Sequence, residues 1–427
     1  MPAFRRVWVG ATVSAAGDSA SWVALVALSL GRAHASLPVL VILYTAPVAV
    51  GGLAAGWALD RFDRRRVMIA DSLFRGAAFA SIPLAAVFGG LGADQLYAVA
   101  VVYGLLKMIG LAGFPALIPS LVSGNQIDQA NALEGVTFGL ATLAGAGLAG
   151  LAVATVGPAP VVAFDAASYL VMALCLWSVR GLSSPASRLE TGHAPGPARA
   201  GFRVIVRLAA ANPVLRDTTI MFALFNVGEG ALLVLLPRRA VELGLGLGGY
   251  GFLVAATTAG QLLAAVLLAR HTWTASLRAS IIAAQITAAL LVLLLIIHSA
   301  VITVIALAAM GLCTAPMTAW AQSLRMRLAP RHAHGRLFAL LRTTMQATPP
   351  AGAAVAALAI AHGTFAAVAA AAAIMGLPAV ALAPDLMRAA TDADPSRDRQ
   401  AAAPLSPPDQ PRSQSPATPK PPGEARR

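Results

Sequence analysis

Charge is what this sequence has least of. Asp, Glu, Lys and Arg make up only 11% of its 427 residues, and 58% of the residues are hydrophobic. Soluble domains carry about 25% charged residues, so this composition excludes an ordinary water-soluble protein. Cysteine is also scarce. The two cysteines, Cys175 and Cys313, lie inside apolar runs, and they indicate neither a disulfide framework nor a metal site.

The apolar residues fall into twelve runs, each long enough to cross a bilayer as a helix. Backbone groups in lipid must form hydrogen bonds within their own segment, so the runs are predicted to be helices and the chain an all-α membrane protein. The predicted spans are residues 7–31, 37–59, 67–90, 95–121, 130–157, 160–180, 214–236, 248–270, 278–298, 301–324, 336–360 and 363–384.

The basic residues are distributed unevenly over the segments between these spans. Without the C-terminal tail, 18 basic residues fall on one side of the predicted membrane and 3 on the other. Because cytoplasmic segments carry the excess of Lys and Arg, both termini are predicted to be cytoplasmic in a multi-pass protein of the inner (cytoplasmic) cell membrane. The same topology explains the net charge of +13, and no nucleic-acid partner is expected.

The spans divide six and six around a polar segment. Residues 1–180 and 214–385 are predicted to form two six-helix bundles related by pseudo-twofold symmetry, and a weak repeat of 120–157 in 323–363 supports a duplication. Residues 181–213 are predicted to be a cytoplasmic linker with an amphipathic segment. Residues 386–427 contain nine prolines and are predicted to be a disordered cytoplasmic tail.

Two ionisable residues lie near the middle of spans in the first half. Asp18 is in the first span and Lys107 is in the fourth, where charge is costly and therefore indicates function. Helical spacing places Trp22 on the face of Asp18, and Tyr103 on the face of Lys107. We expect both faces to line one cavity, with an Asp18–Lys107 pair that binds substrate or proton. The alternative is a static pair that holds two helices together.

The second half has one deep carboxylate, Glu229, which shares a helical face with Asn226. Both are predicted to bind substrate or proton, and the alternative for Glu229 is a hydrogen-bonded helix contact. Asp165 is near a span end and is expected to reach the outer headgroups. Asp71 and Arg75, four residues apart, are expected to form a structural pair.

A short charged stretch, Gly56-Trp-Ala-Leu-Asp60-Arg61-Phe-Asp63-Arg64-Arg65-Arg66, lies between the second and third spans. Asp60, Arg61 and Arg64 are predicted to form a gating latch that is made in one state and broken in another, with Glu134 as a candidate partner. The alternative is simple anchoring of the loop on the cytoplasmic side.

This stretch, with its pattern G-x-x-x-D-R-x-x-R-R-R, resembles the signature loop of the major facilitator superfamily. The chain is similar to the branch with enterobactin exporters and macrolide-efflux proteins over residues 5–385, through ordered short motifs: Ser14-Ala-Ala-Gly-Asp18, Asp71-Ser-Leu-Phe-Arg75, Ile118-Pro-Ser-Leu-Val122, Asn212-Pro-Val-Leu-Arg216, Gly249-Tyr-Gly251 and Gly335-Arg-Leu-Phe338. The resemblance implies the twelve-helix, two-bundle major facilitator fold, alternating access, and export driven by the proton gradient with no other cofactor.

Two positions depart from that pattern. The family loop usually has Gly where this chain has Asp63, and the stretch Gly145-Ala-Gly-Leu-Ala-Gly150 lacks the proline of the drug/proton antiporter motif. The first departure puts the geometry of the latch in doubt, and the second leaves the antiporter signature incomplete.

The sequence therefore predicts a secondary active transporter, a proton-coupled exporter of small molecules such as a drug, antibiotic or siderophore, acting as a monomer in the bilayer. One alternative is a proton-coupled importer of a small metabolite, and another is a membrane receptor or scaffold on a transporter fold. No enzyme is expected, because no catalytic, metal-spaced or phosphate-binding constellation appears. The substrate is not indicated, since internal acids favour cations and Lys107 favours anions.

Overall fold

The computed structural model describes residues 2–31, 35–179, 210–270, 276–328, 344–345 and 347–391. In these ranges the chain forms twelve helices. They are α1 (Pro2–Leu30), α2 (Leu37–Arg61), α3 (Arg64–Val87), α4 (Ala93–Leu121), α5 (Ile127–Thr155), α6 (Pro158–Ser178), α7 (Pro213–Glu242), α8 (Gly246–Arg270), α9 (Leu277–Leu293), α10 (Ala300–Leu328), α11 (Pro349–Ile360) and α12 (Thr364–Thr391).

The predicted all-α membrane architecture is confirmed. Eleven of the helices are long and apolar enough to cross a membrane, and α11 is the shorter apolar twelfth. Several helices continue beyond the predicted apolar runs. For example, α1 begins at Pro2 and α7 continues to Glu242, because backbone hydrogen bonding does not stop where the first charged residue appears.

The two halves of the chain use the same helix pairings. In the first half, α1 packs against α5 and α6, α3 packs against α6, and α2 packs against α4. In the second half, α7 packs against α11 and α12, α9 against α12, and α8 against α10. Each pairing recurs six helices later, so the two bundles are structural repeats.

Small residues bring equivalent helices together in both bundles. A Cβ atom added to Gly145 of α5 would collide with the Ala16 carbonyl group of α1. A Cβ atom added to Gly352 of α11 would collide in the same way with the Val227 carbonyl group of α7. Small residues that let backbones approach are a common way of packing helices in membranes.

The two ends of the molecule are named here by their turns. The basic end carries residues 61–66 and the C-terminus of α6, and the distal end carries the turns at 88–92, 156–157 and 243–245. Helix α2 is interrupted at Ala46, because Pro47 has no N–H group to continue the helix. The distal segment of α2, Leu37–Thr45, packs against α7 and α11 of the other bundle.

Helices α5 and α8 form the other extended contact between the bundles. Near the distal end their backbones touch: a Cβ atom on Gly150 would lie 2.5 Å from the Gly248 carbonyl oxygen, and one on Gly251 would lie 2.5 Å from that of Ala146. The bundles are therefore closely packed at the distal end.

Parts of the predicted domain organisation lie outside the described residues. These are most of the 181–213 linker, the start of the predicted 336–360 span, and residues 392–427 of the tail. At the described edge of the linker, Asn212 caps α7 by accepting hydrogen bonds from the N–H groups of Val214 and Leu215. The domain boundaries remain predictions.

Candidate functional site

A cavity of about 520 Å³ lies between the two bundles. Each of the helices α1 to α8 contributes at least one lining residue, and α10 and α11 contribute one each. The cavity extends from the distal closure toward the basic end, where Glu134 of α5 forms part of its wall. All six predicted substrate or proton residues line it: Asp18, Trp22, Tyr103, Lys107, Asn226 and Glu229. Their roles in transport remain predictions.

Asp18 belongs to a hydrogen-bonded network of three helices. Its carboxylate accepts a short hydrogen bond from the Tyr169 hydroxyl of α6, and it lies 3.8 Å from the Arg75 guanidinium of α3. Arg75 also donates to Tyr169 Oη at 3.3 Å and to Asp71 Oδ1 at 3.1 Å. The carboxylate at the wall of the cavity is thus held by side chains buried behind it.

The ion pair of Asp18 differs from the predicted one. Lys107 and Asp18 both line the cavity, but the cation at ion-pair distance from Asp18 is Arg75. The Asp71–Arg75 pair predicted from their spacing is confirmed, although it is not merely a local helix pair. The sequence did contain a signal for Arg75, since it lies eleven residues beyond the start of α3, too deep to reach either headgroup layer easily.

Aromatic rings form the distal wall of the cavity. Tyr44 stacks on Tyr103 with ring centroids 4.3 Å apart, and the centroid of the Trp22 ring also lies 4.3 Å from that of Tyr44. The Lys107 ammonium group lies 5.9 Å from the Tyr103 ring centroid, within the range of a cation–π interaction. Trp22 Nε1 donates to the Tyr250 hydroxyl of α8 at 2.7 Å, which links the two bundles.

Glu229 enters the cavity from the second bundle and is half-buried. Among the residues that the structure describes, its carboxylate has neither an ion pair nor a hydrogen bond. Asn226, one turn away, donates to the Phe222 carbonyl group of its own helix at 2.8 Å. Glu229 is thus available to a ligand or a proton.

The expectation for Asp165 is wrong. It does not reach a headgroup layer, because its helix packs along α1 and its side chain is completely buried there. Gly17 leaves the space for it: a Cβ atom at that position would collide with the Asp165 carboxylate. The lack of a side chain at Gly17 of α1 therefore determines where the Asp165 carboxylate lies.

The predicted latch residues are separated in this conformation. Asp60 and Arg61 are exposed at the end of α2, whereas Arg64 donates to the Ala116 carbonyl group of α4 at 3.1 Å. Among the ion pairs of the described residues, none joins them to Glu134, which lines the cavity. The latch stays a prediction.

Asp63, the residue that departs from the family loop, has a structural role of its own. Its Oδ1 accepts a hydrogen bond from the Arg66 N–H group at 2.8 Å, so that it caps the N-terminus of α3. The turn is therefore stabilised by a side-chain cap where the family pattern usually has a glycine. No group of three or more His, Cys, Asp or Glu in the described ranges is placed to hold a metal ion.

Comparisons with known proteins agree with this architecture. The pattern of the Major Facilitator Superfamily matches residues 7–347 and 218–420. An uncharacterised MFS-type transporter of Sinorhizobium fredii is 29% identical over 244 residues, which are 56% of this chain and 58% of that protein. The multidrug efflux pump Tap of Mycolicibacterium fortuitum is 26% identical over 326 residues, covering 72% of this chain and 76% of the pump. The enterobactin exporter EntS of Shigella boydii is 26% identical over 62% of each chain.

Solved structures share the fold at much lower sequence identity. A variant of the nucleoside transporter NupG superposes with a TM-score of 0.73 over 90% of this chain and 99% of its own, at 8% identity. A POT family transporter superposes with a TM-score of 0.66 over 89% of this chain and 96% of its own, at 11% identity. The resemblance inferred from the short motifs is confirmed. The chain belongs to the Major Facilitator Superfamily, a family of secondary membrane transporters and not of enzymes.

Proposed function

We propose that this transporter is a proton-coupled exporter of drug-sized small molecules. The observation that carries the proposal is the position of Asp18, an ionisable side chain at the wall of the central cavity, held by Arg75 and Tyr169. A charge held within a membrane protein by specific partners is costly to keep, and such residues commonly mark proton or substrate pathways.

Protonation of Asp18 would change the forces between three helices. With Asp18 ionised, its attraction to Arg75 at 3.8 Å is on the order of 4 kcal/mol at an effective dielectric constant of about 20. Protonation removes this attraction and leaves Arg75 to Asp71 alone. A proton therefore alters how firmly α1 is held against α3 and α6.

The same helix carries the distal closure. Trp22 lies one turn beyond Asp18 on the same face of α1, and its indole N–H group donates to Tyr250 of the other bundle. A shift of α1 that follows protonation of Asp18 therefore acts directly on the contact that holds the distal end closed. This connection is the physical basis that we propose for coupling proton movement to alternating access.

Two further points support export as the direction of transport. The relatives that are named for a transport activity are an efflux pump and an exporter. The cavity extends toward the basic end, which the distribution of arginines predicts to be cytoplasmic. In this conformation the transporter would therefore load its substrate from the cytoplasm.

The size and lining of the cavity support a drug-sized substrate. Its volume of about 520 Å³ lies within the range of about 300–1,000 Å³ that is typical of drug-sized ligands. Tyrosine and tryptophan rings form one wall, and Glu229 supplies a polar group on the opposite bundle. An amphiphilic small molecule fits this lining better than a sugar, which would need many more hydrogen-bonding groups.

Everted membrane vesicles test the proposal. Vesicles that contain the full chain are energised to make a proton gradient, and a panel of ethidium, tetracycline and erythromycin is added. We expect at least one compound to accumulate and to release protons, and expect nigericin, which removes the proton gradient, to abolish the accumulation. Accumulation in right-side-out vesicles instead would indicate import, and accumulation that nigericin leaves unchanged would contradict proton coupling.

A further inference from the structure

Asp165 of α6 is another buried carboxylate of the first bundle, and unlike Asp18 and Asp71 it lies outside the cavity. The side chain is completely buried, and its Oδ1 accepts a hydrogen bond from Ser168 Oγ at 2.9 Å. Its Oδ2 is also buried and has no hydrogen-bond partner among the described residues. Leaving an ionised oxygen unpaired in an apolar interior is costly, whereas a carboxyl group that carries a proton is neutral.

The neighbours of Asp165 do not supply a cation that would balance an ionised carboxylate at this position. The titratable or charged groups that face it are Asp18 of α1, Arg75 of α3, Tyr103 of α4 and Tyr169 of its own helix. Helix α5 also packs against α6, but its titratable residues, Asp128 and Glu134, lie in its first two turns at the basic end.

The charges in this region are therefore unbalanced. Arg75 is already shared by Asp18 and Asp71. Lys107 of α4 also attracts Asp18 electrostatically. Even with Lys107 counted beside Arg75, there are two cations for three carboxylates, which are those of Asp18, Asp71 and Asp165. One proton on Asp165 restores neutrality.

The packing around Asp165 favours a proton over a metal ion. A Cβ atom on Gly17 would collide with Asp165 and would lie 2.5 Å from Ser168 Oγ, so the α1 backbone is close to both side chains. Asp165 does not line the central cavity. A sodium ion would need several oxygen ligands and a space of its own, whereas a proton needs neither.

We propose that Asp165 is a second proton-carrying residue of this transporter, and that it holds a proton in the conformation described here. When the helices rearrange, the O–H bond of Asp165 breaks and an O–H bond forms on the Asp18 carboxylate, which faces Asp165 and also lines the cavity. Ser21 Oγ, buried beside Asp165 and without a hydrogen-bond partner of its own, is placed to accept from the protonated carboxyl group. This inference rests on the proposed proton coupling.

Infrared spectroscopy of the purified full-length protein in lipid nanodiscs tests the proposal without any substrate. A protonated carboxyl group has a carbonyl stretching band that a carboxylate lacks. We expect the wild-type protein to show this band at neutral pH, and expect Asp165→Asn to lose it. The band should remain in Asp94→Asn, the same change at an exposed carboxylate of α4. In Ser168→Ala it should remain but move to higher frequency, because one hydrogen bond to the carboxyl group is lost.

Several results would overturn the proposal. One is a wild-type spectrum without the band, and another is a band that Asp165→Asn leaves unchanged. A band that disappears when sodium chloride replaces choline chloride would show that the carboxylate binds sodium instead. The spectrum does not depend on transport. If the vesicle assay failed while the band behaved as expected, only the proposed function would be contradicted.

If Asp165 takes part in transport, vesicles provide a second readout. Asp165→Asn mimics the protonated carboxyl group and should fold normally, as a melting temperature close to that of the wild type would show. We expect it to bind ethidium with wild-type affinity but to reduce ethidium-dependent proton release at least tenfold. Wild-type proton release from a normally folded Asp165→Asn variant would show that the proton on Asp165 does not move during transport.

Discussion

The two bundles are built on the same helix pairings but differ in what they bury. In the first bundle, the place where α1, α3 and α6 meet contains Asp18, Asp71, Arg75, Asp165 and Tyr169. In the second bundle, α7, α9 and α12 meet around Gln285, whose amide donates to the carbonyl groups of Met221 at 3.1 Å and Met375 at 2.8 Å. The junction of three helices is ionic in the first bundle and is a neutral amide in the second, whose buried charges, Asp217, Arg239 and Arg325, lie toward the ends of α7 and α10.

This difference indicates how the two halves divide the work. Buried ion pairs are poor stabilisers, because the desolvation of the charges offsets much of their attraction. In the second bundle a neutral amide joins the three equivalent helices, so this helix packing does not by itself require the charges found in the first. We infer that the first bundle keeps them for proton chemistry, and that the second contributes a wall of the cavity in which Glu229 is the charged residue among those described.

The largest expected effect is on stability, and it comes from substituting Arg75 and Gln285, the polar residues at the helix junctions of the two bundles. Arg75→Met leaves Asp18 and Asp71 as uncompensated buried carboxylates, and we expect it to destabilise the protein by about 3–5 kcal/mol. Gln285→Met loses neutral hydrogen bonds only, and should cost about 1 kcal/mol. Thermal unfolding of the purified variants measures both. Restoring neutrality with Asp71→Asn should recover part of the loss in Arg75→Met, and equal losses at the two sites would remove the proposed distinction between the bundles.

Asp18→Asn is expected to have the next largest effect. The amide keeps the size of the side chain but cannot exchange a proton or attract Arg75 as a charge. We expect a normally folded protein whose proton-driven ethidium accumulation in everted vesicles falls by a factor of about 10–100, or about 1.4–2.7 kcal/mol. Asp94→Asn is the matched control and should behave as the wild type. Normal proton-dependent efflux by Asp18→Asn would remove Asp18 from the mechanism.

Glu229→Gln tests whether the second bundle contributes a substrate contact or proton chemistry. If Glu229 mainly contacts substrate, its loss should weaken the binding of cationic ethidium roughly fivefold, or about 1 kcal/mol. The binding of neutral or anionic compounds should change little. Equilibrium binding to the purified protein measures this effect. A loss of proton release as large as that of Asp18→Asn would instead place proton chemistry in both bundles.

The smallest effect concerns the contact between the bundles. Trp22→Phe removes the indole donor to Tyr250, a neutral hydrogen bond that contributes about 1 kcal/mol to the distally closed state. Spin labels at the distal ends of α5 and α11 should then show a larger open population. Tyr250→Phe should give the same shift, and the double variant should add little to either one. Additive shifts would indicate that the two side chains act independently.

Much of the fold could be predicted from the sequence, because a chain that crosses a bilayer can adopt only a few kinds of backbone structure. The twelve apolar runs, the two-bundle division and the cavity residues Asp18, Lys107 and Glu229 all follow from length, spacing and depth of charge. The helix ends were less accurate. Helix α7, for example, continues six residues beyond the predicted span, since polar residues at an interface do not terminate a helix.

The partners within the network could not be predicted in the same way. Depth and helical face alone favour a pairing of Asp18 with Lys107, whereas the order of helices around the bundle brings Arg75 and Tyr169 closer to Asp18. The prediction for Asp165 fails for a related reason. The sequence gives its depth along α6, but its burial depends on the absence of a side chain at Gly17 of another helix. Contacts of this kind depend on how helices meet in space, which a single sequence specifies only indirectly.

The crossing of α5 and α8 has a consequence for how the bundles move. At Gly150, Gly248 and Gly251 one backbone rests directly on the other, without interlocking side chains. Two helices whose backbones are in direct contact can roll over each other at a constant separation, and no side chain has to change its rotamer. The crossing can therefore serve as the fulcrum of the transport cycle. Resistance to motion is then concentrated in the aromatic closure and the ionic network, where a proton or a substrate can act on it.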